Sequence, residues 1–421
     1  MLSKLDRAIE AHAEEAFAFL ERLVAAPSVL GTEQAALQVF EAEVQKAGLI
    51  ATRLPFDNAP LNDARAGITA PLGQLSDNRF QLLATTPGDD ELTVLLNGHI
   101  DVVPAESPEL WASPPFTPTR RDGRMFGRGA GDMKAGFAVG VLALNALKDV
   151  APDLFATKRL GFLAVIEEEC TGNGTLRSLA EQGVTAAEVV VLEPTQGGLM
   201  VGGVGVLWLD IDVVASSAHA ESSHAVANAI ELGMRVVRTL QEWSATLVST
   251  DPEPGMSPDS SPYNVNLGKV HSGDWTSTAP ATATFSVRIG FPRAWTATQA
   301  EDRVRSAISA AVESDPDFPA QPTVTLSGFR ASGYLLDSGS VLVRDLQRAN
   351  SDVHGTTLHT FMLGSTTDAR TYLNDFGIPA VCFGATAHDM HGIDESVELQ
   401  SIVDAARTLA RFLLIRFEGA E

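Results

Sequence analysis

Five residues of metal-ligating type stand where strands end or helices begin: His99 in NGHIDVVP, Asp132 in GRGAGDMKAG, Glu169 closing the triplet Glu167-Glu168-Glu169, Glu193 in VVLEPT, and His391 in CFGATAHDMHGIDE. The apolar runs Leu92–Leu96, Leu160–Ile166, Val189–Leu192 and Ile378–Phe383 read as strands leading into four of them. Asp132 instead precedes an apolar helix, Ala135–Leu147. In an open α/β sheet the carboxyl ends of parallel strands face one crevice, so residues far apart in sequence can meet there. Imidazole and carboxylate without thiolate suit zinc, cobalt or manganese with positions left open for water, rather than a closed structural zinc site. Two histidines with Asp132, Glu169 and Glu193 suffice for two ions if one carboxylate bridges, and the Gly-rich approach to Asp132 makes it the bridge. Asp101, two residues after His99, is placed to accept the ring's other N–H and fix its tautomer.

Each element has a plainer explanation. A His-x-Asp pair is common, and Glu-Pro after a strand is often a turn. An acidic triplet usually marks a solvated face, but this one continues the apolar strand GFLAVI and runs into the turn TGNG. The case rests on the coincidence of all five.

The elements that must position them begin with helices over Leu5–Val24 and Glu33–Ala47. Phe80–Ala84 and Leu92–Leu96, separated by Pro87-Gly88-Asp89-Asp90, read as a hairpin. Strands interleaved with helices follow, including a short helix near Leu176–Glu181, and predict a mostly parallel sheet with helices on both faces. The texture changes near Val201-Gly202-Gly203. Strand Val206–Val214, helix Val226–Trp243, a Pro/Ser loop at Asp251–Pro262, strands Asn264–Val270 and Ala281–Ile289, helix Thr298–Val312 and strand Thr323–Leu326 form a self-contained α+β unit. The α/β texture then resumes with Val341–Asn350, Thr367–Asn374 and a last helix from Leu399. The expected architecture is a discontinuous α/β domain, residues 1–203 and 327–421, interrupted by a smaller α+β domain at 204–326.

Composition narrows the partners. The 421 residues are 45% hydrophobic and carry a formal net charge of −23, which opposes disorder and also non-specific binding to nucleic acid or an anionic membrane. Cys170 and Cys382 are too few for a disulfide framework and suit a reducing compartment. The N-terminus lacks the apolar core of a signal peptide, and the longest apolar stretch, Gly136–Leu147, falls short of the roughly 20 residues a bilayer needs. A soluble, cytoplasmic protein is expected.

GHIDVVP, GRGAGDMKAG, EEECTGNGT, LEPT and HGIDE together resemble the zinc-dependent metallohydrolase family of acetylornithine deacetylase, succinyl-diaminopimelate desuccinylase, aminoacylases and glutamate carboxypeptidase. The similarity spans nearly the whole chain. It implies a catalytic domain interrupted by a lid or dimerisation domain, two divalent ions (zinc first, cobalt or manganese as alternatives), and a homodimer formed through the lid. One ion would take His99, Asp132 and Glu193; the other would share Asp132 and add Glu169 and His391, with His388 as competitor for the last place. Glu168 matches the general base, and Glu167 stands where Asp is more usual. In SSAHAESSHAVANAIELG, His219 and Asn228 have the family's His–Asn spacing; the resemblance implies that Asn228 lies at the substrate and that His219, as in the dimeric members, reaches the partner's active site to stabilise an oxyanion. Arg288 matches an arginine that binds substrate carboxylate, while Thr366, in GSTTDAR, belongs to a loop lining the substrate pocket with Asp368 structural. Ser277-Thr278-Ala279-Pro280 departs from the family's Asn-x-x-Pro. The implied substrate is an N-acyl amino acid, with peptidase activity on a short peptide as the near rival. A thiol amidase using Cys170 and a non-catalytic binding protein are the more distant ones; carboxylates beside Cys170 should raise its pKa and blunt it as a nucleophile.

Overall fold

The computed structural model describes residues 2–418 apart from 70–74, 76–77, 90 and 257–260. Its main sheet runs Ile50–Pro55, Phe80–Thr85, Leu160–Val165, Val94–His99, Glu188–Val191, Ala380–Cys382, Leu199–Gly203, Tyr334–Leu335, with Thr360–Leu363 also paired to Leu199–Gly203. The central four strands, from Leu160–Val165 to Ala380–Cys382, are mutually parallel, and the antiparallel pairings lie toward the edges. Every residue of the three strands Val94–His99, Leu160–Val165 and Glu188–Val191 is buried, as a sheet covered on both faces requires.

The expected hairpin does not form. Phe80–Thr85 and Val94–His99 both pair with Leu160–Val165, which lies between them. The connecting loop is pinned to the start of that inserted strand, Thr86 N–H to the Leu160 carbonyl and Thr93 N–H to that of Arg159. Two almost wholly buried strands each need a neighbour on both sides, and that demand overrides the Pro-Gly turn signal. Asp90 of that turn lies outside the described residues, as do four residues of the Pro/Ser loop.

One face of the main sheet is covered by the helix Ala135–Val150, itself held between Leu2–Ala25 and Leu399–Glu418. It is buried along nearly its whole length and seats Phe137 against Phe40 and Phe162. Gly136 makes that seating possible, because a Cβ there would overlap the Leu192 carbonyl oxygen. The helix that begins just after Asp132 is thereby pressed onto the strand end that carries Glu193.

The chain leaves this sheet at Gly203 and returns at Tyr334, which is the Cα partner of Gly203. Between them a separate antiparallel sheet forms in the order Val265–Ser272, Thr282–Phe291, Gly205–Val214, Thr323–Ala331. Leu209, Ile211 and Val213 alternate inward against the helices Ala229–Thr250 and Ala297–Glu313, while Trp208, Asp210 and Asp212 face the other way. Its last strand continues to Ala331, so the boundary expected at residue 327 falls inside a strand. A further small sheet, Ala387–His388, Ser396–Glu398, Arg124–Phe126 and Thr119–Arg121, has strands too short to be read from periodicity.

Candidate metal centre

His99, Asp132, Glu169, Glu193 and His391 converge. His99 Nε2 lies 3.2 Å from Asp132 Oδ1 and 3.7 Å from Glu193 Oε1. His391 Nε2 lies 3.2 Å from Asp132 Oδ2 and 3.1 Å from Glu169 Oε2. Asp132 thus presents one oxygen to each imidazole. Ligands bound tetrahedrally at about 2.0–2.2 Å stand roughly 3.3–3.6 Å apart along the tetrahedron's edges, so these separations fit two adjoining ions.

The electrostatics point the same way. A carbonyl can only accept, so the 2.8 Å contact of His99 Nδ1 with the Asp101 carbonyl puts the proton on Nδ1 and aims Nε2 at Asp132 and Glu193. Only a second proton or a cation can sit in that gap. Without a metal it is the proton: burial opposes charge on His99, but Glu193, Asp132 and Glu168 raise its pKa well above the usual histidine range. Burial likewise works against His391, and hydrogen bonds to Asp132 and Glu169 overcome it, lifting the pKa to about 11. Asp132 is held well below the carboxylate range because its contacts with His391 and His99 outweigh its own burial. Glu193 is pushed up to about 8, chiefly by burial. Glu169 Oε1 is buried with no hydrogen-bond partner. A buried, under-satisfied, carboxylate-rich cluster of this kind fits divalent cations.

The outer contacts differ from expectation at Asp101. Its backbone carbonyl, not its carboxylate, fixes the His99 ring, and the nearer carboxylate oxygen is 3.8 Å from Nδ1. The Asp101 carboxylate instead accepts the backbone N–H groups of Glu168 and Glu169, at 3.4 and 3.1 Å. It therefore anchors the acidic triplet, whose Glu167 takes a left-handed φ of 64° that is rare for a side-chain-bearing residue. Glu167 is tied down in turn by Arg79 at 2.7 Å, and Arg79 also binds Glu33 at 2.7 Å.

Sequence reasoning missed a second anchor. Glu395 accepts the N–H groups of Gly129, Gly131 and Asp132 and pairs with Arg128 at 2.5 Å. Arg128 also donates to the carbonyls of His391 and Gly392. One buried ion pair thus ties the Asp132 loop to the His391 loop. HGIDE held the signal, since an acidic residue after a metal-ligand histidine often has such a task. His388 is turned away, bound to Glu398 at 2.8 Å.

Beside the cluster lies a cavity of about 500 Å³, lined by Glu168, by Asn266, Trp208 and Arg288 of the second sheet, and by Asn264 just before its strand Val265–Ser272. Arg288 donates to Asn264 Oδ1 at 2.6 Å and to the Gly364 carbonyl at 2.9 Å, and has no ion pair among the described residues. Burial lowers its pKa to about 10. Thr366 lines the same cavity. His219 and Asn228 are not among its lining residues. His219 is exposed, its Nδ1 accepting the Glu221 N–H. Asn228, expected at the substrate, caps the helix Ala229–Thr250 by accepting the Ile230 N–H at 2.9 Å, as asparagine before a helical run commonly does. Burial and the nearby Glu167 and Asp101 push the Cys170 thiol well above its usual range, which removes the thiolate a nucleophile needs.

Residues 95–415 match the model of peptidase family M20/M25/M40, and the chain belongs to that family of hydrolases. Among its relatives, the succinyl-diaminopimelate desuccinylase of Paracidovorax citrulli is 28% identical over 398 residues, covering 91% of this chain and 92% of that one. Solved structures share the fold as well. The di-peptidase Dug1p of Saccharomyces cerevisiae has a TM-score of 0.79 at 15% identity, covering 100% of this chain and 99% of the other. The YxeP protein of Bacillus subtilis, described as a dinuclear metal binding peptidase, has a TM-score of 0.59 at 15% identity, covering 97% and 99%. No helix among the described residues is long and apolar enough to cross a membrane.

Proposed function

We propose that this hydrolase cleaves the amide bond of N-acyl amino acids with two divalent ions, one on His99, Asp132 and Glu193 and the other on Asp132, Glu169 and His391. The observation that carries the reading is Asp132 offering its two oxygens to two imidazoles. Zinc suits the donor set best, with cobalt or manganese as substitutes. Bound there, the ions supply Lewis acidity that polarises the scissile carbonyl and acidifies water.

The chain's own groups do the rest. Glu168 lines the cavity beside the cluster; it takes the proton of the attacking water and delivers it to the leaving amine. Arg288 offers paired donors to a substrate carboxylate, and Thr366, lining the same cavity, contacts the substrate. Because the Glu221 N–H occupies His219 Nδ1, the neutral ring keeps its proton on Nε2, pointing outward as a donor. In a homodimer built through the lid, that donor would serve the partner's oxyanion. The protein would work in the cytoplasm.

The test is Glu168→Gln. Turnover should fall by about 10²–10⁴-fold while elemental analysis still finds two ions per chain; normal activity would refute the assignment. Because the family is one of peptidases and a di-peptidase shares the fold, cleavage of dipeptides is the second reading. A panel of N-acetyl amino acids against dipeptides separates the two.

A further inference from the structure

The antiparallel register of the second sheet sets Trp208 directly opposite Arg288, as Cα partners on adjacent strands. Cross-strand partners have Cβ atoms about 4.5–5.5 Å apart, and both side chains line the cavity beside the metal cluster. An indole and an unpaired guanidinium therefore stand side by side on one wall. A ligand in the cavity can therefore meet an aromatic face and a carboxylate-binding cation on the same wall.

Trp208 breaks the polar alternation of its strand, since Asp210 and Asp212 occupy the next positions on that face. The fold makes room for it. The neighbouring strand bulges between Leu326 and Arg330, and a Cβ at Gly328 would come within 2.5 Å of the indole. Phe329 meets the indole edge-on, with centroids 5.3 Å apart and planes at 83°. The Arg370 guanidinium lies 5.3 Å from the Phe329 ring. Trp208 and Phe329 pack with Val206 and Ala331 in a small apolar cluster apart from the main cores. Trp208 is left half-buried, an aromatic surface that a ligand can cover.

Charge sharpens the choice. Asp132, Glu168, Glu169 and Glu193 line the cavity and together balance two divalent ions. Arg288 then remains as the cavity's cation for substrate, enough for one carboxylate. Lys269 lines an adjoining pocket of about 230 Å³, but so does Asp210, and the two offset each other.

Resting on the amide-hydrolase reading above, we propose that the preferred substrates are N-acyl derivatives of bulky apolar, especially aromatic, α-amino acids. Arg288 holds the carboxylate and Trp208 is the specificity-determining wall for the side chain. Substrates with a second carboxylate on the amino-acid half are disfavoured.

The experiment measures kcat/KM of the metal-loaded, full-length protein on the N-acetyl derivatives of L-phenylalanine, L-leucine, L-alanine and L-glutamate. Phenylalanine should exceed alanine and glutamate by ~10-fold or more, the discrimination an apolar pocket supplies. Trp208→Ala should collapse the phenylalanine-to-alanine ratio, and Trp208→Phe should retain most of it. Competitive inhibition of the unmodified protein by free L-phenylalanine over L-alanine gives the same readout without a variant. Hydrolysis with no preference, a preference for glutamate, or an unchanged ratio in Trp208→Ala overturns this inference and leaves the amidase reading intact. Failure to cleave any of these amides, or any dipeptide of the panel that tests the proposed function, overturns both.

Discussion

The ends of the main sheet and the open face of the second sheet both line the cavity, but their polar groups are used differently. At the main sheet the groups that frame the cluster are already engaged with one another: Asp101 holds the acidic triplet, Arg79 holds Glu167, and Glu395 holds the Asp132 loop. His99 is 2% exposed. On the second sheet Arg288 faces only carbonyl acceptors and Trp208 is half-covered, and His219, outside that sheet in the same domain, is exposed. The contrast is between a centre framed by backbone contacts and buried ion pairs and a wall whose guanidinium and aromatic face carry no such lock. Geometry held by several independent contacts is what a reacting centre requires.

That contrast can be attacked by mutation, starting where the effect should be largest. Glu395→Ala removes one half of a buried ion pair and three acceptor contacts at once. It should cost about 3–5 kcal/mol in denaturant unfolding and lower metal content; a stability change under 1 kcal/mol would mean the loops hold themselves.

Removing the metal should expose a pH dependence confined to the main sheet. Burial raises Glu193 to about 8 and Asp101 to about 7, so the folded state favours their protonated forms. The stability this contributes is full below the ordinary carboxylate range and is lost as pH rises through 7–8. His391, raised to about 11, shifts stability in the same direction above its ordinary pKa. Chelator-treated protein should therefore melt at a lower temperature at pH 8.5 than at pH 5.5. Added zinc should stabilise more at the higher pH, where fewer protons compete for the ligands. A metal-free protein that is more stable at pH 8.5 would refute the electrostatic picture.

In the second sheet's domain the effects should be modest. Asn228→Ala deletes a helix cap and should cost ~1 kcal/mol, with metal content unchanged. Smallest of all is Arg235→Ala. Its ion pairs with Asp315 and Asp317 join side chains that are largely exposed, so the change should stay below ~1 kcal/mol. A larger loss there would show that this domain too is locked by electrostatics.

Much of this was legible before any fold was known. Strand-end placement marked out His99, Glu169 and Glu193, because an apolar run that stops at a carboxylate or imidazole signals a buried strand opening on a crevice. The long insertion announced itself through alternation in Val206–Val214 and Ala281–Ile289. His391 was harder: it lies on the loop between Ala387–His388 and Ser396–Glu398, well past the strand Ala380–Cys382, and has a left-handed φ of 63°. Three-residue strands carry too little periodicity to be read, so the small sheet that brings this loop toward Asp132 stayed invisible. The hairpin expectation failed for a related reason, since a turn signal is local and strand order is not.

By itself the sequence determined which side chains could bind cations, which segments must be buried and where a second unit interrupts the first. These follow from residue type and short-range periodicity. Only the tertiary structure decided that Asp132 divides its two oxygens between two histidines, that Glu395 and Arg128 bind two distant loops, and that Trp208 stands beside Arg288. Each depends on register and loop closure across residues tens to hundreds of positions apart, set by the simultaneous packing of the whole chain rather than by any one stretch of it.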